Sequence, residues 1–199
     1  QEKILADTPS EHGSSMIYLD GVYYFVTANA YLGDLVVIKY DADWNYLGVK
    51  SLKTEAFFSE GLAYDGQRFY LAYMDTSQRT PPNDLPLALN VRLAAFDRDW
   101  NLLDDIPVTS FAWEDLKQPG RPSLLLRGTR LYVSYDCDTK DPVTHEEQLK
   151  WQAYVAVYEV AGAKPRAVRR HVLSAAKACP GPLSPLGVLR STDHGATWT

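Results

Sequence analysis

The sequence predicts an all-β fold, a β-propeller built of four-stranded antiparallel blades. Three observations support this prediction. A stretch with a shared turn motif occurs twice, at residues 36–47 and 92–103. Short alternating apolar segments recur in units of roughly 45 to 60 residues, a spacing typical of propeller blades. The composition, with 13 Tyr and 5 Trp among 199 residues, favours strands over helices.

The repeated stretch predicts a strand, a tight polar turn and a second strand. Asp and Asn side chains bond to nearby backbone and accept left-handed conformations, so they suit such turns. The Trp would cover the turn with a large apolar face. We therefore interpret Asp43 and Asp99 as turn-forming residues rather than metal ligands or catalytic groups. The matching positions are Tyr40, Asp41, Asp43, Trp44 and Asn45 in the first copy and Phe96, Asp97, Asp99, Trp100 and Asn101 in the second.

Each blade is expected to begin with a hairpin. Asp-Gly between apolar segments is a strong hairpin signal, and it occurs at residues 20–21 and 65–66, with Gly-Thr at 128–129. A loop and two further strands complete each unit. The predicted second, third and fourth strands are residues 22–28, 35–41 and 46–53; 68–75, 90–97 and 102–108; and 130–136, 152–160 and 167–173.

The whole chain is predicted to form one incomplete propeller domain, 1–199. A β-sandwich also uses short strands, but it does not explain why the same turn recurs at the same place in each unit. The predicted parts are a closing outer strand at 1–10, blades at 11–55, 56–110 and 111–174, and a partial blade with a C-terminal hairpin at 175–199.

Charge and cysteine content limit the classes of partner. The net charge of −5 argues against a nucleic-acid partner, and no apolar run approaches the roughly 20 residues that cross a bilayer. The chain begins at Gln1 without Met, as a mature secreted or periplasmic protein or a trimmed chain would. Cys137 and Cys179 either pair in an oxidising space or both stay reduced.

The C-terminal segment carries a recognisable motif. Residues 191–198 read Ser-x-Asp-x-Gly-x-Thr-Trp, and this resembles the Asp-box of the sialidase-like propeller superfamily. The resemblance implies that Asp-boxes, and with them the two Asp-x-Asp-Trp-Asn turns, join the third and fourth strands of a blade. It also implies that these turns lie on the face opposite any active centre. The nearest counterpart of the sialidase Arg-Ile-Pro motif is Arg121 with Pro122.

The opposite face, with the longer and more varied loops, is where we expect a site. Polar residues there would surround the central axis, and an arginine offers a bidentate fork to a carboxylate. Paired carboxylates could hydrolyse glycosides if their spacing fits. The candidate catalytic residues are Glu60, Asp75 and Asp136, and the candidate ligand-binding residues are Glu11, His12, Arg121, Tyr73 and Tyr135.

Structural roles compete with these assignments. Arg121 could form a salt bridge with Glu60, Asp75 and Asp136 could cap loops, and His12 could be a solvated loop residue. No metal-binding motif, phosphate-binding loop or nucleophile elbow is present in the sequence, so no metal or cofactor is expected.

Three functions follow from this reading of the sequence. The first is a secreted sialidase-like propeller that binds a glycan, such as a carboxylate-bearing sugar, or another ligand on the long-loop face. The second is a sialidase-like glycoside hydrolase that uses the carboxylates with Arg121. The third is a noncatalytic propeller that docks proteins.

Overall fold

The described part of the chain folds into β-strands, several of which are joined by short turns. The computed structural model describes residues 14–29, 34–75, 77, 90–112, 115, 117–139, 152–162 and 165–172. Within these ranges it has no α-helix. The strands are β1 (Ser14–Leu19), β2 (Val22–Asn29), β3 (Asp34–Asp41), β4 (Tyr46–Lys53), β5 (Ala56–Tyr64), β6 (Phe69–Asp75), β7 (Asn90–Phe96), β8 (Leu102–Pro107), β9 (Lys117–Arg127), β10 (Arg130–Thr139), β11 (Gln152–Glu159) and β12 (Arg166–Val172).

The strands form three sheets in chain order. Sheet 1 contains β1 to β4, sheet 2 contains β5 to β8, and sheet 3 contains β9 to β12. Every neighbouring pair is antiparallel. Within each sheet, therefore, every strand after the first pairs with the one before it in the chain, as sequential connections favour. The predicted all-β fold of four-stranded antiparallel sheets is confirmed.

The first two predicted hairpins differ in the structure. Between β1 and β2, Asp20 and Gly21 have φ values of 51° and 83°, so both central residues adopt the left-handed conformation that matches the strand twist. Between β5 and β6 the connection spans residues 65–68. There the Asp65 carboxylate accepts the backbone N–H groups of Gln67 and Arg68 at 2.8 and 2.7 Å. The predicted hairpin at Asp65-Gly66 is therefore present, with four connecting residues where the β1–β2 hairpin has two.

The repeated Asp-x-Asp-Trp-Asn turns join the third and fourth strands of sheets 1 and 2. In the first copy, Asp41 Oδ1 accepts the backbone N–H groups of Asp43 and Asn45 at 2.9 and 2.8 Å. The Asn45 amide donates to Asp41 Oδ2 at 2.8 Å. Trp44 has a φ of 65°. The first Asp of the motif therefore organises the turn, whereas Asp43, which we predicted to form it, contributes only its backbone N–H to these bonds.

The second copy repeats this geometry. Asp97 accepts two backbone N–H groups, from Asp99 at 2.9 Å and Asn101 at 2.8 Å, and the Asn101 amide at 2.8 Å. These hydrogen bonds, with those of Asn101 the strongest, lower the pKa of Asp97. Trp100 has a φ of 61°. The prediction that Asp99 is the turn former is corrected in the same way, because the Asp97 carboxylate binds the turn backbone and Asp99 contributes its backbone N–H.

Side-chain alternation explains why sheet 2 is buried on both faces. Successive residues of a strand point to opposite faces. In β6, Phe69, Leu71 and Tyr73 belong to the apolar cluster between sheets 1 and 2. Tyr70 and Ala72 belong to the cluster between sheets 2 and 3. Sheet 2 therefore lies between the other two, and both cores share it.

The first strands of the three sheets approach one another closely. Contacts join β1 to β5 and β5 to β9. A Cβ atom placed on Gly61 of β5 would lie 2.8 Å from the Leu124 side chain and 2.9 Å from the Leu124 backbone nitrogen of β9. Only glycine fits there, because real Cβ contacts are longer. The β5–β6 pairing is also irregular between Phe57 and Gly61.

Polar contacts tie the turn of sheet 2 to sheet 1. Arg98, in the β7–β8 turn, forms an ion pair with Asp20 of the β1–β2 hairpin. Lys50 of β4 donates to the Asp99 carbonyl and to the Asn101 side-chain oxygen, both at 2.9 Å. The motif thus forms a corner of its own sheet and also a contact with the preceding one.

The same arrangement links sheets 2 and 3. Arg68, at the β5–β6 hairpin, donates to the Gly162 carbonyl at 2.6 Å and to the Val160 carbonyl at 2.7 Å. These two carbonyls belong to the β11–β12 turn. In both interfaces, therefore, the first hairpin of one sheet binds the last turn of the next sheet.

Several predictions concern segments outside the described residues. The closing strand at 1–10, the partial blade at 175–199 and the Asp-box at 191–198 are in this group. The Asp-box resemblance therefore stays a prediction.

Candidate functional site

A charged cluster lies where sheets 1 and 2 meet, near the ends of β4 and β6. Its centre is Asp105 of β8, whose side chain is 11% exposed. Lys53 Nζ and the Tyr73 hydroxyl donate to Asp105 Oδ2 at 2.9 and 2.8 Å. Arg92 Nε donates to Oδ1 at 2.9 Å. We call Lys53, Tyr73, Asp75, Arg92 and Asp105 the charged cluster.

The protonation states in the charged cluster indicate a structural role. Burial by itself raises the pKa of the Asp105 carboxyl, but hydrogen bonds from Lys53, Arg92 and Tyr73 outweigh it and hold that pKa below its ordinary value. Burial also raises the pKa of the Tyr73 phenol, and the charge of Asp105 raises it further. At neutral pH Asp105 is ionised and Tyr73 is neutral. This arrangement suits a stable link between sheets better than proton transfer.

Asp75 joins the cluster from the end of β6. Its Oδ2 lies 3.7 Å from Arg92 Nη1, and its Oδ1 accepts the backbone N–H of Ser77 at 2.9 Å. The sequence predicted Asp75 as a catalytic residue and Tyr73 as a ligand-binding residue. The structure brings both into one cluster, where Asp75 also fills the alternative role of a loop cap.

Arg121 occupies an unusual backbone position in β9. It has a φ of 47°, in the left-handed region that few residues other than glycine enter. The pairing of β9 with β10 is irregular at this point, between Ser134 and Asp136. Arg121 Nε donates to Asp136 Oδ2 at 2.6 Å, and its Nη2 lies 2.5 Å from the same oxygen. The Arg121 side chain is 53% exposed.

Asp136 does not lie where the sequence placed it. The strand β10 continues to Thr139, so Asp136 lies inside the strand and does not end it. Tyr135 packs in the cluster between sheets 2 and 3 and stacks on Tyr154 at a centroid distance of 5.3 Å. A Cβ atom placed on Gly120 would lie 3.4 Å from Asp136 Oδ1 and 3.7 Å from the Met74 side chain of β6, so the Asp136 carboxylate lies near sheet 2. The joint catalytic role of Asp75 and Asp136 stays a prediction.

The remaining candidates fall outside the described part of the chain. Glu11 and His12 precede it, and the Glu60 side chain is not described. The salt bridge between Arg121 and Glu60 that the sequence suggested stays a prediction, whereas the Arg121 pairing with Asp136 is present. Cys137 is buried in β10 and Cys179 is beyond the described residues, so their pairing also stays a prediction.

Sequence reasoning missed the residues that hold the charged cluster together. Lys53, Arg92 and Asp105 were read only as parts of strands. The available signal was a charged residue within an otherwise apolar strand. Charged residues are rarely buried unless they are paired, so such a residue indicates a partner elsewhere in the fold. Arg92, flanked by Val91 and Leu93, carried that signal.

The described residues form neither a cluster of metal ligands nor a membrane-spanning helix. They contain no group of three or more His, Cys, Asp or Glu side chains placed to hold a metal ion. They also contain no helix with the length and apolar character needed to span a membrane.

Comparison with known proteins gives similar structures but no sequence relative. No family model matches the chain, and no curated protein matches it. A monoclinic crystal form of an ACO/RPE65 chimera aligns at 12% identity and a TM-score of 0.46, covering 85% of this chain and 40% of that chain. Cobalt-substituted ACO from Synechocystis aligns at 12% identity and a TM-score of 0.48, covering 83% of this chain and 39% of its own. ACO denotes apocarotenoid oxygenase. The present chain thus spans less than half the length of these structures.

This finding corrects the functional prediction. The sequence predicted a sialidase-like protein that binds or hydrolyses a glycan, but the similar solved structures are apocarotenoid oxygenases and not sialidases. The sialidase-like function is therefore wrong. Its basis was the resemblance of the eight-residue motif at 191–198 to an Asp-box, and this segment lies outside the described residues.

Proposed function

We propose that the three sheets are blades of a β-propeller and that this propeller unit binds a small anion through Arg121. Three features support the propeller arrangement. The strands of each sheet follow chain order, the first strands β1, β5 and β9 lie together, and the same turn forms the corner of sheets 1 and 2. In such an arrangement, the first strand of each blade borders the central axis.

The ligand class follows from the chemistry of the guanidinium group. Arg121 is on β9, the strand that borders the axis in this arrangement. A guanidinium carries five donors in a planar fork that matches carboxylate and phosphate oxygens. Asp136 engages the Nε and Nη2 side of that fork, and half of the side chain is exposed. The ligand is a carboxylate or phosphate. The guanidinium recognises this anionic group whether or not a sugar carries it.

The single observation that carries the proposal is the backbone conformation of Arg121. A left-handed residue other than glycine costs on the order of 1–3 kcal/mol, and such residues cluster at ligand-binding sites. A bulge re-aims a side chain and is frequent beside functional sites. The Arg121 backbone adopts this unfavourable conformation at the bulge opposite Asp136, where its guanidinium pairs with the Asp136 carboxylate. The charged cluster does not offer this, because its central carboxylate is enclosed and fully engaged.

The test is anion binding by the wild-type chain and by variants of Arg121. We expect inorganic phosphate and succinate, titrated by calorimetry at low ionic strength, to bind the wild-type chain. Arg121→Gln should weaken that binding at least tenfold, since a charge-assisted hydrogen bond and its Coulomb attraction are lost. Arg121→Lys should weaken it less, because it keeps the charge without the fork.

The matched control is Arg127→Gln. Arg127 is an exposed arginine on the same strand, and its replacement removes one positive charge without touching the bulge. It should leave anion binding unchanged. Absence of binding by the wild-type chain, or equal binding by Arg121→Gln and wild type, would contradict the proposal.

A further inference from the structure

The Arg121 guanidinium lies beside a carboxylate of its own chain. Its Nε and Nη2 groups both contact a single oxygen, Asp136 Oδ2, at 2.6 and 2.5 Å. The second oxygen, Asp136 Oδ1, is buried. An anion that binds Arg121 therefore also approaches the negative charge of Asp136.

A bulge in β9 places these two opposite charges next to each other. Gly120 pairs with Asp136 and Ser123 pairs with Ser134, so Arg121 and Pro122 together lie opposite one residue of β10. In a common type of bulge, the first of two such residues is a glycine in the left-handed conformation. Arg121 has this conformation, with a φ of 47°. The chain thus carries an arginine at a position where glycine would be less strained.

The Asp136 carboxylate is the more confined member of the pair. A Cβ atom on Gly120 would lie 3.4 Å from Asp136 Oδ1 and 3.7 Å from the Met74 side chain, which is itself 4% exposed. The Asp136 side chain is 22% exposed, whereas that of Arg121 is 53% exposed. When a ligand binds, the arginine can adjust more easily, and the charge of Asp136 stays close to the ligand.

Formal charges balance in this part of sheet 3. Residues 117–121 of β9 and 136–139 of β10 include two cations, Lys117 and Arg121, and two carboxylates, Asp136 and Asp138. Lys117 Nζ donates to Thr139 Oγ1 at 2.7 Å. The site therefore offers a strong directional donor, the guanidinium, in surroundings with no net formal charge.

We propose that Asp136 is a specificity-determining residue, which makes the ligand of Arg121 a singly charged anion such as a monocarboxylate. One carboxylate of a ligand gains the hydrogen bonds of the guanidinium. A second charge on the same ligand meets an ion pair whose charges cancel, and it is repelled by the net charge of −5 of the chain. This inference rests on the proposed function, anion binding by Arg121.

The first test compares two ligands on the wild-type chain by calorimetry at neutral pH. Succinate carries two carboxylates, and succinamate has a neutral amide of similar shape in place of one of them. We expect succinamate to bind at least about threefold more tightly, because the second charge of succinate gains no attraction to offset the repulsion. Tighter or equal binding of succinate would overturn the proposal.

The second test is Asp136→Asn. The amide oxygen of asparagine can still accept a hydrogen bond from Arg121, but the negative charge is gone. Both ligands should then bind more tightly, and succinate should gain more, because Coulomb attraction scales with the charge of the ligand. The preference for succinamate should disappear. If Asp136 only oriented Arg121, the substitution would instead weaken both ligands by the same factor.

Glu159→Gln is the matched control for the loss of one negative charge. Glu159 pairs with Arg130 at the other end of β10, about 20 Å from Asp136 at the rise of a β-strand. This separation is about two Debye lengths at 0.1 M salt, so the preference between the two ligands should not change. Far-UV circular dichroism of both variants checks that they are folded.

The outcomes separate this inference from the proposed function. Equal binding of anions by Arg121→Gln and wild type would contradict the anion site itself. Binding that depends on Arg121, with the same ratio of the two dissociation constants in Asp136→Asn and wild type, would overturn only the role of Asp136. The same change of ratio in Glu159→Gln would also overturn that role, because the effect would then come from the net charge of the chain.

Discussion

At the scale of single residues, the feature that most distinguishes this chain is the use of carboxylates as acceptors for several donors. Asp41 and Asp97 each organise one turn, Asp65 organises a hairpin, and Asp105 joins two sheets. Each of these carboxylates accepts several hydrogen bonds in the folded chain. Such bonds favour the ionised form and tie stability to pH.

The first prediction concerns Asp105. We expect Asp105→Asn to lower the free energy of unfolding by about 2 kcal/mol at neutral pH. The substitution removes the negative charge that strengthens the hydrogen bonds from Lys53, Tyr73 and Arg92. The pKa of Asp105 is below its ordinary value of 3.8 when folded. Its contribution is therefore complete above that value and is lost as the pH falls through the lower folded pKa. The difference between variant and wild type should shrink as urea titrations move to acidic pH.

Asp43→Asn is the control for this prediction. Asp43 is an exposed carboxylate, and Asp43→Asn makes the same chemical change as Asp105→Asn. Surface substitutions of this kind usually alter stability by less than about 0.5 kcal/mol. A difference between Asp105→Asn and wild type that stayed constant from neutral to acidic pH would contradict the assigned role of the carboxylate.

At the scale of elements, the close packing of β5 against β9 decides how the sheets approach. Gly61 allows the backbones to come together, because any Cβ there would meet the Leu124 nitrogen at 2.9 Å. Leu124 itself packs in the cluster between sheets 2 and 3. A larger residue at position 61 would therefore push the strands apart and disturb that core.

We expect Gly61→Ala to destabilise the chain by about 1–3 kcal/mol, the usual cost of overpacking. Chemical denaturation would measure this loss. Gly120→Ala is the matched control on the neighbouring strand, since its added Cβ would meet the nearest atom at 3.4 Å, an ordinary contact distance. If both variants were equally stable, the close approach of β5 and β9 would not be a constraint.

At the scale of the whole molecule, sheet 2 couples the two cores. One face of β6 packs on sheet 1 and the other on sheet 3. A polar contact joins the first hairpin of one sheet to the last turn of the next sheet in both interfaces. The contacts are made by Arg98 between sheets 1 and 2 and by Arg68 between sheets 2 and 3. The sheets should therefore unfold together and not one after another.

The corresponding prediction compares Leu71, in the first core, with Leu93, in the second. We expect Leu71→Ala and Leu93→Ala each to cost about 2–5 kcal/mol, with near-UV and far-UV circular dichroism reporting one coincident transition. Leu103→Ala, at an exposed position, should cost little. Two resolved transitions in these signals, one shifted by Leu71→Ala and the other by Leu93→Ala, would show that the cores are independent.

Local chemistry made much of the fold predictable. The Asp-x-Asp-Trp-Asn motif forms its turn with its own atoms, from Asp41 to Asn45, so the sequence contains the whole cause of that structure. The β-branched and aromatic runs of β2, β3 and β6 likewise favour strands through residues that are neighbours along the chain. The predicted strands of the three sheets therefore agree with the structure to within a few residues.

Other features depended on partners far away in sequence. Lys53 and Asp105 are 52 positions apart, and Arg121 meets Asp136 because a bulge reorients it. The sequence determined the turns, the strands and their grouping into four-stranded sheets, because short-range hydrogen bonds and alternation set them. Only the tertiary structure decided which charges pair, which face of each sheet is covered and which glycine admits a neighbouring strand, because these follow from how the sheets pack.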